Sequence, residues 1–316
     1  MTESDPLDVV TLGEAMTMLV AGQPGPLEKV EIFHKNTAGA ETNVAIGLAR
    51  LGLRVGWGSR LGQDSMGRYL LDSLRGEGVD CSRVNLVPGE RTGMLFKGRV
   101  MDGSDPPVEY HRAGSAASRM RPEDVDRAWL LSARHLHATG VFAAVSADSF
   151  QVSRMTMRLM REAGKTVSFD PNLRPTLWPS TEAMRAGIHE LAALADWVLP
   201  GLEEGRLLTG AQTPEAIARF YRDLGARLVV VKLGLDGAYY DDGAHSGYVP
   251  ASPVERVVDT VGAGDGFAVG VISGLLEGLP LERAVVRGAW IGARAVQVQG
   301  DTEGLPTRTL LRLAGL

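Results

Sequence analysis

Short apolar runs alternate with amphipathic stretches along most of the chain, which is typical of a largely parallel sheet covered by helices. The predicted strands are residues 9–12, 55–58, 135–139, 166–169, 197–199 and 228–232. The predicted helices between them are residues 42–50, 65–75, 147–162, 181–195 and 214–224. This order of elements predicts an α/β fold.

Two segments interrupt the alternation, at about residues 15–35 and 92–112, where extended sequences follow each other without a helix. We interpret them as a small β-sheet lid inserted into one domain that covers residues 1–316. In the last third of the chain, the alternation of strands and helices is replaced by a pair of strands followed by two helices. Residues 237–242 and 246–249 are typical of antiparallel strands, and helices are predicted over residues 263–279 and 281–298.

Composition narrows the possible partners. The 316 residues carry a formal charge of -5 without a run of five or six like charges, so neither nucleic acid nor an anionic membrane is an expected partner. The single cysteine, Cys81, cannot form an internal disulfide, and the first residues lack the basic start and apolar stretch of a signal peptide. We therefore expect a cytoplasmic protein.

The candidate chemistry lies in a glycine-rich turn, residues 259–267, with the sequence DTVGAGDGF. Small residues before a helix let backbone N–H groups approach an anion, and the helix dipole adds positive potential there. Gly262, Ala263 and Gly264 could hold a phosphoryl group, while Asp265 could accept the proton of an attacking alcohol. The alternative is an ordinary helix start with Asp265 as a favourable first-turn acid. No Gly-Lys-Ser/Thr follows, so the turn is not a Walker loop.

This turn resembles the C-terminal signature of the ribokinase-like (phosphofructokinase B-type) carbohydrate kinases. A second match covers residues 38–45 (AGAETNVA), Leu51-Gly52, residues 58–64 (GSRLGQD) and Gly67. The resemblance implies a ribokinase-like three-layer α/β/α sandwich with a mostly parallel central sheet and a small β-sheet lid. It also implies ATP and Mg²⁺, a possible monovalent cation, a homo-oligomer, and Asp265 as the catalytic base.

Within that family, four segments are similar to 2-keto-3-deoxygluconate kinases: residues 39–45, 110–116, 170–178 and 300–306. The resemblance implies transfer of the γ-phosphate to the terminal hydroxyl of this sugar acid. Besides Asp265, the residues that it places at the sugar are Gly39, Asn43, Tyr110, Arg112, Arg174 and Asp301. An always-charged planar guanidinium suits a carboxylate, which agrees with the two arginines.

Other interpretations of these residues remain open. Asn43 could serve the start of a helix, Tyr110 could simply pack, Arg174 could face phosphate, and Asp301 could close a turn. If the arginines do not bind a carboxylate, a kinase for a neutral sugar such as fructose is the alternative. A non-catalytic sugar-binding regulator on the same fold is a second alternative.

Residues 229–238 (VVVKLGLDGA) are similar to the strand and turn that this family uses on the nucleotide side. The resemblance implies nucleotide contacts from Asn172, Arg174, Lys232, Gly234 and Gly237, as well as from residues 262–264. Mg²⁺ is expected on phosphate oxygens and water. Glu204 is the one candidate metal residue, acting through water, but the family's usual Asn three residues before it is replaced here by Gly201.

Overall fold

The computed structural model describes residues 6–100 and 106–316, so residues 101–105 of the second predicted lid segment, like residues 1–5, lie outside the described part. Its helices are α1 (Ala40–Arg50), α2 (Ser65–Gly76), α3 (Arg127–Ser132), α4 (Gly140–Val145), α5 (Ala147–Glu162), α6 (Thr181–Ala192), α7 (Leu202–Thr209), α8 (Pro214–Asp223), α9 (Ala263–Leu276), α10 (Leu281–Ala295) and α11 (Arg308–Leu313). Several start at a side-chain cap: Ser146 caps α5, Ser180 caps α6 and Thr213 caps α8.

Two sheets account for the strands of the described residues. The strands are β1 (Val9–Leu12), β2 (Met16–Ala21), β3 (Phe33–Ala38), β4 (Val55–Gly62), β5 (Asp80–Val87), β6 (Met94–Lys97), β7 (Val108–His111), β8 (His135–Thr139), β9 (Thr166–Asp170), β10 (Trp197–Val198), β11 (Leu228–Lys232), β12 (Ala238–Asp241) and β13 (Ser246–Val249). The large sheet has the order β13-β12-β11-β10-β9-β8-β1-β4-β5. All its pairings from β11 to β5 are parallel, and β12 and β13 are antiparallel.

Helices cover both faces of the large sheet because neighbouring residues of its strands enter different cores. Val9 packs in one apolar core with α1, α2, α9 and α10, whereas Val10 packs in the other with α3, α5, α6 and α8. Val230 and Val229 of β11 divide between the two cores in the same way. Such doubly buried strands require consecutive apolar residues, and this is the signal visible in the sequence. The predicted α/β/α sandwich is confirmed.

The small sheet has the order β3-β2-β6-β7 and its own apolar cluster of Met16, Met18, Val20, Ala38 and Leu95. Only the β2–β6 pairing is parallel; the two outer pairings are antiparallel. Both segments that were predicted to form extra strands contribute to it. The first continues three residues beyond the predicted end, to Ala38.

Every predicted strand and helix is present, in the predicted order, with ends displaced by a few residues. Helices α9 and α10 each stop three residues earlier than predicted, at Leu276 and Ala295, and β4 extends to Gly62. Strand β5 and the short helices α3, α4, α7 and α11 were not predicted. Among the residues described here, none of the helices is long and apolar enough to cross a membrane.

The chain enters the large sheet at β1, adds β4 and β5 on one side, and then builds β8 to β13 on the other. Strand order therefore reverses between β1 and β8. In open parallel sheets the crevice at the carboxyl ends of the strands near such a reversal is the usual ligand site. The small sheet begins directly after β1, so it lies over this edge.

Candidate active site

A cavity of about 490 Å³ lies between the small sheet and the carboxyl edge of the large sheet. It brings together residues from distant parts of the sequence that were predicted to form a site. Those lining it are Gly39, Asn43, Tyr110, Arg112, Asn172, Arg174, Glu204, Lys232, Gly262, Gly264, Asp265 and Asp301. Ala263, Gly234 and Gly237 do not line it. Position 237 requires glycine for a structural reason, because a Cβ there would lie 2.0 Å from the Val249 carbonyl oxygen.

The glycine-rich turn forms the start of α9, as predicted from its sequence. Gly262 caps the helix with a φ of 82°, a conformation that favours glycine, and a Cβ at this position would lie 2.6 Å from the Asp301 carbonyl oxygen. A Cβ on Gly264 would meet only the Lys232 Nζ, at 3.4 Å. The first turn of α9 therefore borders a cavity that the Lys232 ammonium also lines, and a helix start beside an ammonium group suits a phosphoryl group.

The Asp265 carboxyl is buried among protein atoms, yet it borders the cavity. Asn43 Nδ2 donates to its Oδ2 at 2.7 Å, and Asn172 Nδ2 donates to its Oδ1 at 3.3 Å. Burial raises the pKa of Asp265 to about 8, with the Asp170 carboxylate adding to the rise and the Asn43 hydrogen bond opposing it. A buried carboxyl with such a pKa, held by two amides at a cavity wall, can take up a proton near neutral pH.

Asp170 joins two of the predicted nucleotide residues. Its Oδ2 lies 2.6 Å from Lys232 Nζ, and its Oδ1 accepts the backbone N–H of Asn172 at 3.1 Å. Asn172 has a φ of 37°, the left-handed region, which Asn tolerates better than most residues. Burial raises the pKa of Asp170 to about 6, while Lys232 opposes the rise. Burial disfavours the charge on Lys232, but the carboxylates of Asp170 and Glu204 outweigh it and raise the pKa of Lys232.

Glu204 borders the cavity but already binds two backbone groups. One oxygen accepts the N–H of Leu173 at 2.6 Å and the other accepts the N–H of Gly201 at 2.8 Å. Gly201 is the N-cap of α7, so Glu204 completes the start of this helix. Each oxygen accepts one hydrogen bond here and could accept another, which is compatible with contact to a metal-bound water.

Arg112 borders the cavity as predicted, and a residue that sequence reasoning missed holds it there. Its Nε and Nη2 both bind Glu14 Oε2, at 2.7 and 2.5 Å, and Glu14 is itself buried and accepts a hydrogen bond from Ser115. One edge of the guanidinium is therefore occupied by Glu14. Tyr110, two residues earlier, is half exposed. Arg174 is exposed and donates to the carbonyl oxygen of Leu173.

Two further residues near the turn were also missed, Lys97 and Asp259. Lys97 Nζ lies 2.5 Å from Asp259 Oδ2 and 3.5 Å from Asp301 Oδ1, and all three side chains are buried. Within the described part of the chain, no donor hydrogen-bonds to the buried Asn43 Oδ1 or Asp301 Oδ1, although Asp301 Oδ1 also faces the Lys97 ammonium. Acceptors of this kind at a cavity wall suit the hydroxyl groups of a sugar.

The donors present fit a nucleotide phosphate better than a metal bound by side chains alone. The first turn of α9, Lys232 and Asn172 line the same cavity, and Lys232 Nζ lies beside Gly264. Within residues 6–100 and 106–316, no group of three His, Cys, Asp or Glu side chains is arranged to hold a metal ion.

A family model described as pfkB family carbohydrate kinase matches residues 6–308. The chain belongs to this family. The membership confirms the resemblance first seen in two motifs. Two curated pfkB-type relatives are named 2-dehydro-3-deoxygluconokinase, which is a synonym for a 2-keto-3-deoxygluconate kinase. The one from Bacillus subtilis is 52% identical over 96% of this chain and 94% of its own length. The one from Thermoproteus tenax is 38% identical over 95% of this chain and 92% of its own.

Solved structures of this family have the same fold. A PfkB protein from Polaromonas sp. JS666 is 66% identical, covers 97% of this chain and 99% of its own, and superposes with a TM-score of 0.91. An E. coli protein in complex with ATP and Mg²⁺ is 27% identical, covers 97% of this chain and 98% of its own, and has a TM-score of 0.90. The ribokinase-like architecture is thus shared across a wide range of sequence identity.

Proposed function

We propose that this pfkB-family kinase transfers the γ-phosphoryl group of ATP to the terminal hydroxyl of 2-keto-3-deoxygluconate, giving the 6-phosphate and ADP. The observation that carries the kinase activity is the buried Asp265 carboxyl, held by Asn43 and Asn172 at the first turn of α9. The identity of 52% to a curated enzyme named for this substrate supports the choice of sugar.

In the proposed mechanism Asp265 accepts the hydroxyl proton as the new O–P bond forms and the bond to ADP breaks. Asn43 and Asn172 fix the direction of the carboxylate. The N–H groups of residues 262–264 and the Lys232 ammonium stabilise the negative charge that spreads over the transferred group. Bound MgATP would supply that group, with Mg²⁺ held mainly by phosphate oxygens and by water that Glu204 positions.

For the sugar, we propose that the free edge of Arg112 binds the substrate carboxylate, with Arg174 beside it, and that Tyr110 and Gly39 border the carbon chain. Asn43 Oδ1 and Asp301 Oδ1, which accept no hydrogen bond from the described residues, would accept hydroxyl hydrogens. Nucleotide contacts from Ala263, Gly234 and Gly237 stay predictions, because these residues lie outside the cavity lining.

We further propose that the small sheet acts as a lid of one kinase domain, residues 1–316, and limits the access of water to the phosphoryl group. We also propose that the protein is cytoplasmic, that it forms a homo-oligomer and that it requires a monovalent cation. Size-exclusion chromatography with light scattering tests the oligomer, and activity with potassium replaced by a tetraalkylammonium salt tests the cation.

The experiment that tests the function is ADP release with a panel of acidic and neutral sugars. We expect turnover with 2-keto-3-deoxygluconate, and Asp265→Asn should bind both substrates while losing roughly 10²- to 10⁴-fold in kcat. Arg112→Ala should lose activity severely with acidic sugars only. Near-normal turnover of Asp265→Asn would remove the base assignment, and equal use of fructose by the native enzyme would favour a neutral-sugar kinase.

A further inference from the structure

We propose that Lys97 is a positioning residue, a fixed cation by which the small sheet holds the turn that leads into α9. Lys97 ends β6, where its backbone pairs with Val20 of β2 and Val108 of β7. Its side chain leaves the sheet and is almost completely buried, with Nζ 2.5 Å from Asp259 and 3.5 Å from Asp301. The ammonium thus joins three segments that are far apart in sequence.

Asp259 transmits this contact to the anion-binding turn. Its Oδ1 accepts the N–H of Val261 at 3.1 Å, and its Oδ2 accepts the N–H of Gly300 at 3.4 Å. Val261 directly precedes Gly262, the N-cap of α9, and Gly262 packs against the backbone of Asp301. The carboxylate that Lys97 neutralises therefore organises both the phosphoryl cradle and the loop that carries Asp301.

The charge balance explains why the ammonium is needed. Without Lys97, two buried carboxylates, Asp259 and Asp301, would face each other across a small space with no cation between them, and like charges in a desolvated site repel strongly. The turn would have to open to admit water or an ion. The N–H groups of residues 262–264 would then lose the fixed orientation on which transition-state stabilisation depends.

The same strand arrangement links the sugar side of the cavity to the phosphoryl side. Tyr110 and Arg112 follow Val108, the strand partner of Lys97. A displacement of β6 relative to the turn would therefore change the distance between the bound sugar and the phosphoryl cradle. Lys97 itself borders the cavity, but its ammonium is already engaged by two carboxylates, so a direct role in holding the sugar is not required.

This inference rests on the kinase activity proposed above. The test compares Lys97→Ala and Lys97→Arg with the native enzyme, measuring kcat and KM for the sugar and for ATP. We expect Lys97→Ala to lower kcat by roughly 10- to 100-fold, which is less than the roughly 10²- to 10³-fold cost of losing one oriented donor because the N–H groups themselves remain, with KM for the sugar changed less than about 3-fold. Lys97→Arg, which keeps the charge, should retain most of kcat.

Chemical rescue separates a positioning charge from a general packing role. Lys97→Ala leaves a space beside two carboxylates, so added ammonium or methylammonium should restore part of its kcat while leaving the native rate unchanged. Asn36→Ala serves as the matched control, since Asn36 joins the small sheet to the same loop through Glu303, at 2.8 Å, without contacting Asp259. We expect its kcat to stay near native and to be insensitive to amines.

Three outcomes would overturn the inference: an unchanged kcat in Lys97→Ala, a rise in KM for the sugar with kcat intact, or a loss that no amine relieves. If Lys97→Ala does not fold, Lys97→Met keeps most of the side-chain length without the charge, and a native kcat in this variant would equally contradict the proposal. Absence of kinase activity in the native protein would instead contradict the proposed function.

Discussion

The pKa of Asp265 makes a specific prediction about how the rate depends on pH. Burial raises this pKa to about 8, so only about a tenth of the free enzyme carries the ionised base at pH 7. If Asp265 is the base, kcat/KM should rise about tenfold per pH unit below pH 8 and level off above it. An unperturbed aspartate would give a rate already constant from about pH 5 upward.

Replacing Asn43 tests the hydrogen bond that limits this rise in the pKa of Asp265. Asn43 Nδ2 lies 2.7 Å from Asp265 Oδ2, and this hydrogen bond lowers the pKa by favouring the ionised form. A hydrogen bond to a charged group contributes about 1.5–3 kcal/mol, and one pKa unit corresponds to about 1.36 kcal/mol. Asn43→Leu should therefore move the ascending limb of kcat/KM upward by roughly 1–2 pH units.

The assay is direct measurement of ADP at limiting sugar and saturating MgATP, from acidic to alkaline pH, with each variant's fold checked by circular dichroism. Asn172→Leu is the matched control, because its hydrogen bond to Asp265 is longer, 3.3 Å, and should shift the limb less. Asp265→Asn should lack the limb altogether. A limb centred near pH 4 in the native enzyme, or one that Asn43→Leu leaves in place, would refute this account of the base.

Three other changes follow from contacts in the structure. Glu14→Gln should raise KM for the sugar acid roughly tenfold with little effect on kcat, measured by saturation kinetics, because Arg112 loses the carboxylate that orients it. Gly262→Ala should lower the unfolding free energy by roughly 1–3 kcal/mol in denaturant titration, since φ is 82° and its Cβ would strike a backbone oxygen. Burial lowers the pKa of His137 to about 3 in the folded protein. Between about pH 6.5 and pH 3 the unfolded state therefore binds a proton that the folded state does not, and the free energy of unfolding falls as the pH drops. His137→Gln should flatten that fall by up to about 1.4 kcal/mol per pH unit, and an unchanged slope would contradict it.

The order of the elements could be read from the sequence because each buried strand is a short apolar run. Strand β5, Asp80–Val87, escaped prediction because it lies at the edge of the large sheet, where polar residues are tolerated and useful. Helices α3 and α4 are six residues each, too short to show a clear periodicity. Element ends were displaced because caps and tertiary packing decide them locally.

The part of the site that lies in contiguous sequence motifs could be predicted from the sequence. Asp265 and Gly262 lie in a contiguous glycine-rich turn, so their chemistry was visible in sequence. Glu14 and Lys97 act through partners 98 and 162 residues away, and each stands in a strand-like context where a single charge gives no signal. Only the packing of the small sheet over the large one brings those charges together.

The same limit applies to Asp265, the proposed base. Sequence indicated that Asp265 could accept a proton, but an aspartate at a helix start would ordinarily have a lowered pKa, since the dipole favours its charge. Burial reverses this and raises the pKa to about 8. Asn43, 222 residues away in sequence, then limits the rise. The motif supplies the carboxyl group, whereas the folded cavity determines at which pH that group can act, and the pH profile of Asn43→Leu measures the part of that effect that the Asn43 hydrogen bond supplies.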